Sequence, residues 1–199
     1  MSSSFAFSSA AFPASNDHTT FVEGYRKSTF KDNLTEQEIP SLVISVSKEK
    51  MFDLFLELVD VLGDSVDVIL ESSHDSGKSS HIDHHREGID KPILESYLRE
   101  FEETLLNDGC SGVAVMAQGK PMEVQFDEHK VIVVYAQKMG AFEKVLRWNG
   151  IPRKDDLLLV NEVEHCHSTS EQYEKDFYQL VNILGCSEAA QGGISDRML

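Results

Sequence analysis

Apolar residues recur at three- and four-residue steps through Met51, Phe52, Phe55, Leu58, Val59 and Leu62. That spacing predicts a helix with one buried stripe. Ser47 stands before it as an N-cap and Gly63 after it as a stop. Short β-branched runs flank the helix at 42–46 (LVISV) and 66–70 (VDVIL). Strand, helix and strand in that order predict a parallel crossover, right-handed by the usual rule. The polar stretch 72–88 (SSHDSGKSSHIDHHREG) has no period and reads as a long loop. A second helix opens at Asp90-Lys91-Pro92, with Pro in the first turn, and buries Leu94, Tyr97, Leu98, Phe101 and Leu105 before Gly109.

Three strand-sized runs follow at 112–117, 122–126 and 131–136, and the turn-rich separators QGKP and DEHK predict an antiparallel meander. In the middle run Met122, Val124 and Phe126 alternate with Glu123 and Gln125, which predicts one wet face. Residues 131–134 are apolar without a break, the mark of a central strand covered on both sides. A third helix carries Phe142, Val145 and Leu146 and ends at Asn149-Gly150. A sixth strand is expected over 157–163. The fourth helix has a capping box of Ser168 and Glu171, buries Tyr173, Phe177, Leu180, Val181 and Leu184, and stops at Gly185.

These elements predict one mixed α/β (α+β) domain, with about six strands in a mixed sheet and four packed helices. The domain is expected over 34–187, with a loosely attached tail over 1–33 and a second tail over 188–199. The start of the chain is rich in Ser and Ala without a basic residue before Arg26, which does not fit a secretory signal. The stretches 97–111 and 173–187 align without a gap and share Tyr, Phe, Gly, Cys and Ser at five of fifteen positions. Each follows a strand–helix–strand stretch, so duplicated βαβα halves around the meander are a possible plan.

Composition narrows the function classes. The 199 residues carry 34 acidic and 18 basic side chains, a formal charge of −16. Clustered Lys and Arg are what phosphate backbones and anionic lipids require, so nucleic-acid and membrane-surface partners are not expected. No apolar run approaches the ~18 residues of a membrane helix. Residues 31–108 hold 19 acids against 7 bases, a net −12 of the total. Glu57, Asp60, Asp64 and Asp67 cluster near the end of the first helix, and Glu95, Glu102 and Glu103 line the second. Such a surface suits a basic protein partner.

Cys110, Cys166 and Cys186 are sparse and lack a CxxC spacing, as reduced thiols of a cytoplasmic protein would be. No phosphate-binding glycine loop occurs. Histidine carries the one chemical signal. Of eight, His74, His81, His84 and His85 fall in the polar stretch, and His165 and His167 at the end of the sixth strand. His165 and His167 are two apart and share a strand face, a geometry that chelates a metal ion once a third ligand converges. The expected source of that ligand is the polar stretch: His81, Asp83, His84, His85 or His74. Cys166 points to the opposite face, away from either base. Two functions are thus open. The leading one is an acidic, non-catalytic interaction or regulatory module with no cofactor. The alternative is a metal-binding protein or metal-dependent hydrolase with one divalent ion, zinc or manganese, on His165, His167, His81, His84, His85 and Asp83.

Overall fold

The computed structural model describes residues 5–14, 20–31, 37–74 and 81–188. Among them are ten strands and five helices. The strands are β1 (Ala11–Pro13), β2 (Gly24–Lys31), β3 (Glu38–Ser45), β4 (Ser65–Ser72), β5 (Ile82–Asp90), β6 (Ser111–Ala117), β7 (Met122–Phe126), β8 (Ile132–Ala136), β9 (His165–His167) and β10 (Ser187–Glu188). The helices are α1 (Lys48–Val59), α2 (Lys91–Glu100), α3 (Glu102–Asn107), α4 (Gly140–Trp148) and α5 (Glu171–Leu184). Eight strands form one antiparallel sheet in the order β10-β5-β4-β6-β7-β8-β3-β2, and β1 pairs with β9 in a separate ribbon. No helix of the described residues is long and apolar enough to cross a membrane.

Alternation along the strands sorts the side chains. Leu42, Ile44, Val66, Val68, Leu70, Val113, Val115, Val124, Phe126, Ile132 and Val134 face the helices in the main core. All five helices pack on that side, through Phe55 of α1, Leu94 of α2, Leu105 of α3, Phe142 of α4 and Phe177 of α5. The fold is thus a mixed α+β domain of two layers. Residue 131 and Val133 of β8 turn to the other face, where they meet Val43, Leu157, Leu159 and Val160. The unbroken apolar run at 131–134 is therefore covered on both sides, as its pattern predicts.

That second cluster corrects the sixth strand. Residues 157–163 form no strand; Leu157, Leu159 and Val160 lie across the sheet face, with a 3₁₀ turn at Val160–Glu162. An apolar run signals burial rather than pairing, and both edges of β8 are already taken by β7 and β3. The duplicated plan is not confirmed, because the later strand–helix–strand unit has no second strand. The earlier unit also departs from a parallel neighbour pair. β3 and β4 run the same way, four antiparallel steps apart, with β8, β7 and β6 between them.

Other differences are local. β5 lies in the polar stretch read as a loop, paired with β4 from Ser65↔Asp90 to Ser72↔Ile82 around a bulge between Val66 and Val68. Its extra residue is accommodated by Gly88 at φ +63°, whose N–H donates to Asp67 Oδ1 at 2.8 Å. The sheet also takes in part of the expected N-terminal tail. β2 pairs along its length with β3, from Gly24↔Ser45 to Lys31↔Glu38, and its Arg26, Lys27 and Lys31 suit an edge. Residues 1–4, 15–19 and 32–33 of that tail, 34–36 of the expected domain, 75–80 of the polar stretch and 189–199 of the other tail lie outside the described residues. The second helix breaks at Phe101 (φ −105°) into α2 and α3. In α5 the cap is Ser170, whose hydroxyl accepts from Tyr173 N at 3.2 Å, rather than Ser168. Gly185 ends α5 in the left-handed region as expected.

Candidate metal centre

At the end of the sheet where β4 and β7 finish and β6 and β8 begin, the DEHK turn projects His129. Asp127 organises this turn twice over. Its Oδ1 accepts from Val131 N at 2.8 Å, and its Oδ2 lies 3.4 Å from His129 Nδ1. Lys130 closes the turn with φ +61°, an unusual conformation for a non-glycine residue. Its buried ammonium, held by donation to Ser111 O at 2.8 Å, pins the turn to the start of β6. Burial lowers the Lys130 pKa to about 8.

The β1–β9 ribbon brings His165 and His167 to the same place. Their registers are Pro13↔His165 and Ala11↔His167, so the two imidazoles share a face as the i, i+2 spacing predicts. Ser168 N donates to Ala10 O at 2.8 Å, and Gly109 N to Ser168 O at 2.7 Å. Only glycine fits at 109, because a Cβ there would collide with the Ala10 carbonyl oxygen.

The hydrogen bonds fix the tautomers. His165 Nδ1 donates to Val163 O at 2.8 Å and His167 Nδ1 to Gly109 O at 2.6 Å. Carbonyl oxygens only accept, so each ring keeps a proton on Nδ1 and its Nε2 is the nitrogen left to hold a further proton or a cation. Those two Nε2 atoms face each other at 3.1 Å. Two lone pairs so placed repel unless a proton or a cation lies between them. The His129 ring packs edge-on against both, with centroids 4.9 Å and 4.7 Å away. One nitrogen from each ring can be chosen so that all three lie within 4.8 Å of one another. Ligands on a tetrahedral zinc ion with ~2.0–2.1 Å bonds stand about 3.3 Å apart. Small ring rotations thus suffice. Asp127 raises the His129 pKa by hydrogen bonding, against the effect of burial. A carboxylate behind an imidazole makes it a better ligand.

The other sequence candidates lie elsewhere. His84 is buried on β5 against Phe177 and Tyr178, and burial lowers its pKa. His85 pairs with Ile69 and Ser187 in the sheet, and Asp83 stands opposite Glu71. His74 meets Asp108 at 2.9 Å. Among the described residues the polar stretch adds no member to the three-histidine group. Its nearest contribution is His81, which shares with His129, Cys110, Glu71, Asp127 and Glu128 the lining of a cavity of about 180 Å³. Sequence alone does not single out His129, because DEHK reads as a turn. Its legible signal is the Asp-x-His spacing, which lets a carboxylate reach back to an imidazole.

Two shielded carboxyls, the half-buried Glu71 and the buried Glu123, lie in the cavity wall or on the same sheet face. Glu71 sits over Gly112, where a Cβ would stand 2.9 Å from its Oε2, and accepts from Gln125 Nε2 at 3.1 Å. Burial, then the charges of Asp83 and Glu123, push its pKa to about 8. Glu123, expected on a wet face, is only 2% exposed, and burial raises it from 4.5 to about 7. Between these two pH values the folded chain holds a proton that the unfolded chain has released. Stability present below pH 4.5 is therefore lost as the pH rises to about 7. Glu123→Gln has no such loss. Its urea-unfolding free energy should gain about 3 kcal/mol on that of the native chain between pH 4.5 and 7.5. A difference that does not change with pH would mean that the carboxyl ionises freely in the fold.

A larger hollow of about 570 Å³ along α5, beside Tyr178 and Asn182, shares no residue with the histidine centre. Comparison with protein-family models, curated proteins and solved structures finds no match to this chain.

Proposed function

We propose that the protein binds a zinc-class divalent ion through His129, His165 and His167 and acts as a metal-dependent hydrolase. The observation that carries this reading is the 3.1 Å approach of two Nε2 atoms whose partner nitrogens are already committed to carbonyl oxygens. Three imidazoles favour zinc over manganese, which prefers oxygen ligands. Three protein ligands leave a fourth position open, as in catalytic rather than structural zinc sites. An ion there would lower the pKa of a bound water to about 7. The chain's own groups suit that chemistry. His129 belongs to both the centre and the cavity wall. Glu71, protonated near neutrality, stands in the same wall as a proton donor, while Asp127 orients His129.

The reading as a non-catalytic module for a basic partner rests on the acidic helix surfaces. There Asp53 and Glu95 already share Arg99, at 3.1 Å and 3.2 Å. Surface charge of this kind is also what any acidic protein displays, so the metal reading has the more specific support.

Cobalt tests it directly. Full-length protein stripped with a chelator and titrated with Co²⁺ should develop the visible absorption of a four-coordinate site. Acetohydroxamate should then shift that spectrum by entering the open position. The His165→Ala/His167→Ala double variant, folded by circular dichroism, should lose the acetohydroxamate-sensitive absorption. If the native chain takes up neither Co²⁺ nor Zn²⁺ at micromolar concentration, the two rings share a proton instead and the proposal fails.

A further inference from the structure

The geometry points to a second, buried cation site formed by His74 Nε2, Asp108 Oδ2 and Cys110 Sγ, separate from the three-histidine centre. The three side chains offer ligand atoms within 4.8 Å of one another. The His74 and Asp108 side chains are only 3% and 0% exposed, so whatever they bind is held out of bulk water.

The polar groups around these atoms are arranged as outer support. Ser72 Oγ lies 2.8 Å from His74 Nδ1, leaving Nε2 as the inward nitrogen. Asp108 Oδ1 accepts from Thr169 Oγ1 at 2.7 Å and from Cys110 N at 3.2 Å, leaving Oδ2 as the inward oxygen. His74 Nε2 and Asp108 Oδ2 stand 2.9 Å apart. The contact is a close ion pair that helps to lower the Asp108 pKa but misses the geometry of a well-formed hydrogen bond, and among the described residues neither atom has another hydrogen-bond partner. A buried donor and acceptor that merely paired would be expected to align. Two atoms that are close, buried and misaligned are instead arranged as neighbouring ligands of a third body. Orientation of each ligand by a hydrogen bond on its far side is the usual outer shell of a metal site.

The donor set selects the ion. Thiolate and imidazole with one carboxylate favour zinc over magnesium, calcium or manganese. Binding would release the Cys110 thiol proton to solvent, while His74 keeps its Nδ1 turned to Ser72 Oγ. Of the three side chains, Cys110 also lines the cavity that His129 lines. The two centres also meet through the chain, since the carbonyl of Gly109, between Asp108 and Cys110, accepts from His167.

Cobalt separates the two sites, because only the second has a thiolate. Full-length protein should bind two equivalents of Co²⁺ and show a near-ultraviolet thiolate-to-cobalt band. Cys110→Ser, a one-atom change, should lose the band and one equivalent while keeping the acetohydroxamate-sensitive absorption of the three-histidine centre. The His165→Ala/His167→Ala variant should do the reverse, and Cys166→Ser should keep the band. If Cys110→Ser does not fold, Asp108→Asn retains an oxygen for Thr169 and should weaken the band-bearing site at least tenfold. Absence of the band in the native chain at saturating Co²⁺, or its survival in Cys110→Ser, would overturn the assignment. His74 and Asp108 would then be a structural ion pair, and the three-histidine proposal would stand or fall on its own spectrum.

Discussion

Alanine at His165 or at His167 is expected to lower affinity for Zn²⁺ by more than about a hundredfold, since loss of a ligand must exceed the ~10–100-fold cost of losing a group that supports one. Competition against a chromophoric chelator measures this at the proposed three-histidine centre. His129→Ala should fall in the same class, although 36 residues separate it from His165. Asp127→Asn, which removes the charge behind His129 without removing a ligand, should cost about 10–100-fold. His84→Ala and His85→Ala should leave the centre's affinity unchanged, because both residues sit within the sheet on β5. An affinity that tracked His84 and His85 rather than His129 would reject the assigned ligand set.

Phe177→Ala should destabilise the chain by about 3–5 kcal/mol in urea, the range for emptying the space of a buried aromatic ring. Phe177 is fully buried on α5, with the rings of His74, His84 and Tyr178 between 5.6 Å and 6.1 Å from its own. The cavity would open beside the groups that position His74, so little local collapse can fill it. Tyr173, one turn earlier, is half-exposed with its hydroxyl 3.5 Å from Glu103. Its replacement by alanine should cost far less, under about 1.5 kcal/mol. Equal losses for the two variants would mean that α5 presents a different face to the sheet.

The contrast between Phe177 and Tyr173 also marks what periodicity resolves. The helical repeat assigns both to the buried stripe of α5, yet only Phe177 lies under the sheet. Tyr97 and Phe101 divide in the same way on α2 and at the break after it. A stripe defines a direction around a helix, whereas depth depends on where the neighbouring elements end. Glu123 errs in the opposite sense. Alternation places it correctly away from the helices, but whether that face is wet is settled by what lies over it.

The sequence by itself determined the features that depend on neighbours a few residues away. These are α1, followed by a 3₁₀ turn that ends at Gly63, α5 with its stop at Gly185, the β6–β7–β8 meander, the two-sided burial of residues 131–134, and the common face of His165 and His167. Each follows from a repeat of 2.0 or 3.6 residues, from an unbroken apolar run, or from a turn that only certain side chains tolerate. The tertiary structure alone decided which strands pair and which side chains converge. It made a strand of the polar β5, drew β1 and β2 into ribbon and sheet, laid Leu157 and Leu159 across β8 instead of beside it, and supplied His129 in place of the polar stretch. Those outcomes turn on distances between segments far apart in the chain. A strand with no hydrophobic pattern is held by its partner's hydrogen bonds, and a ligand set is assembled by whichever loops the sheet order brings to the same end.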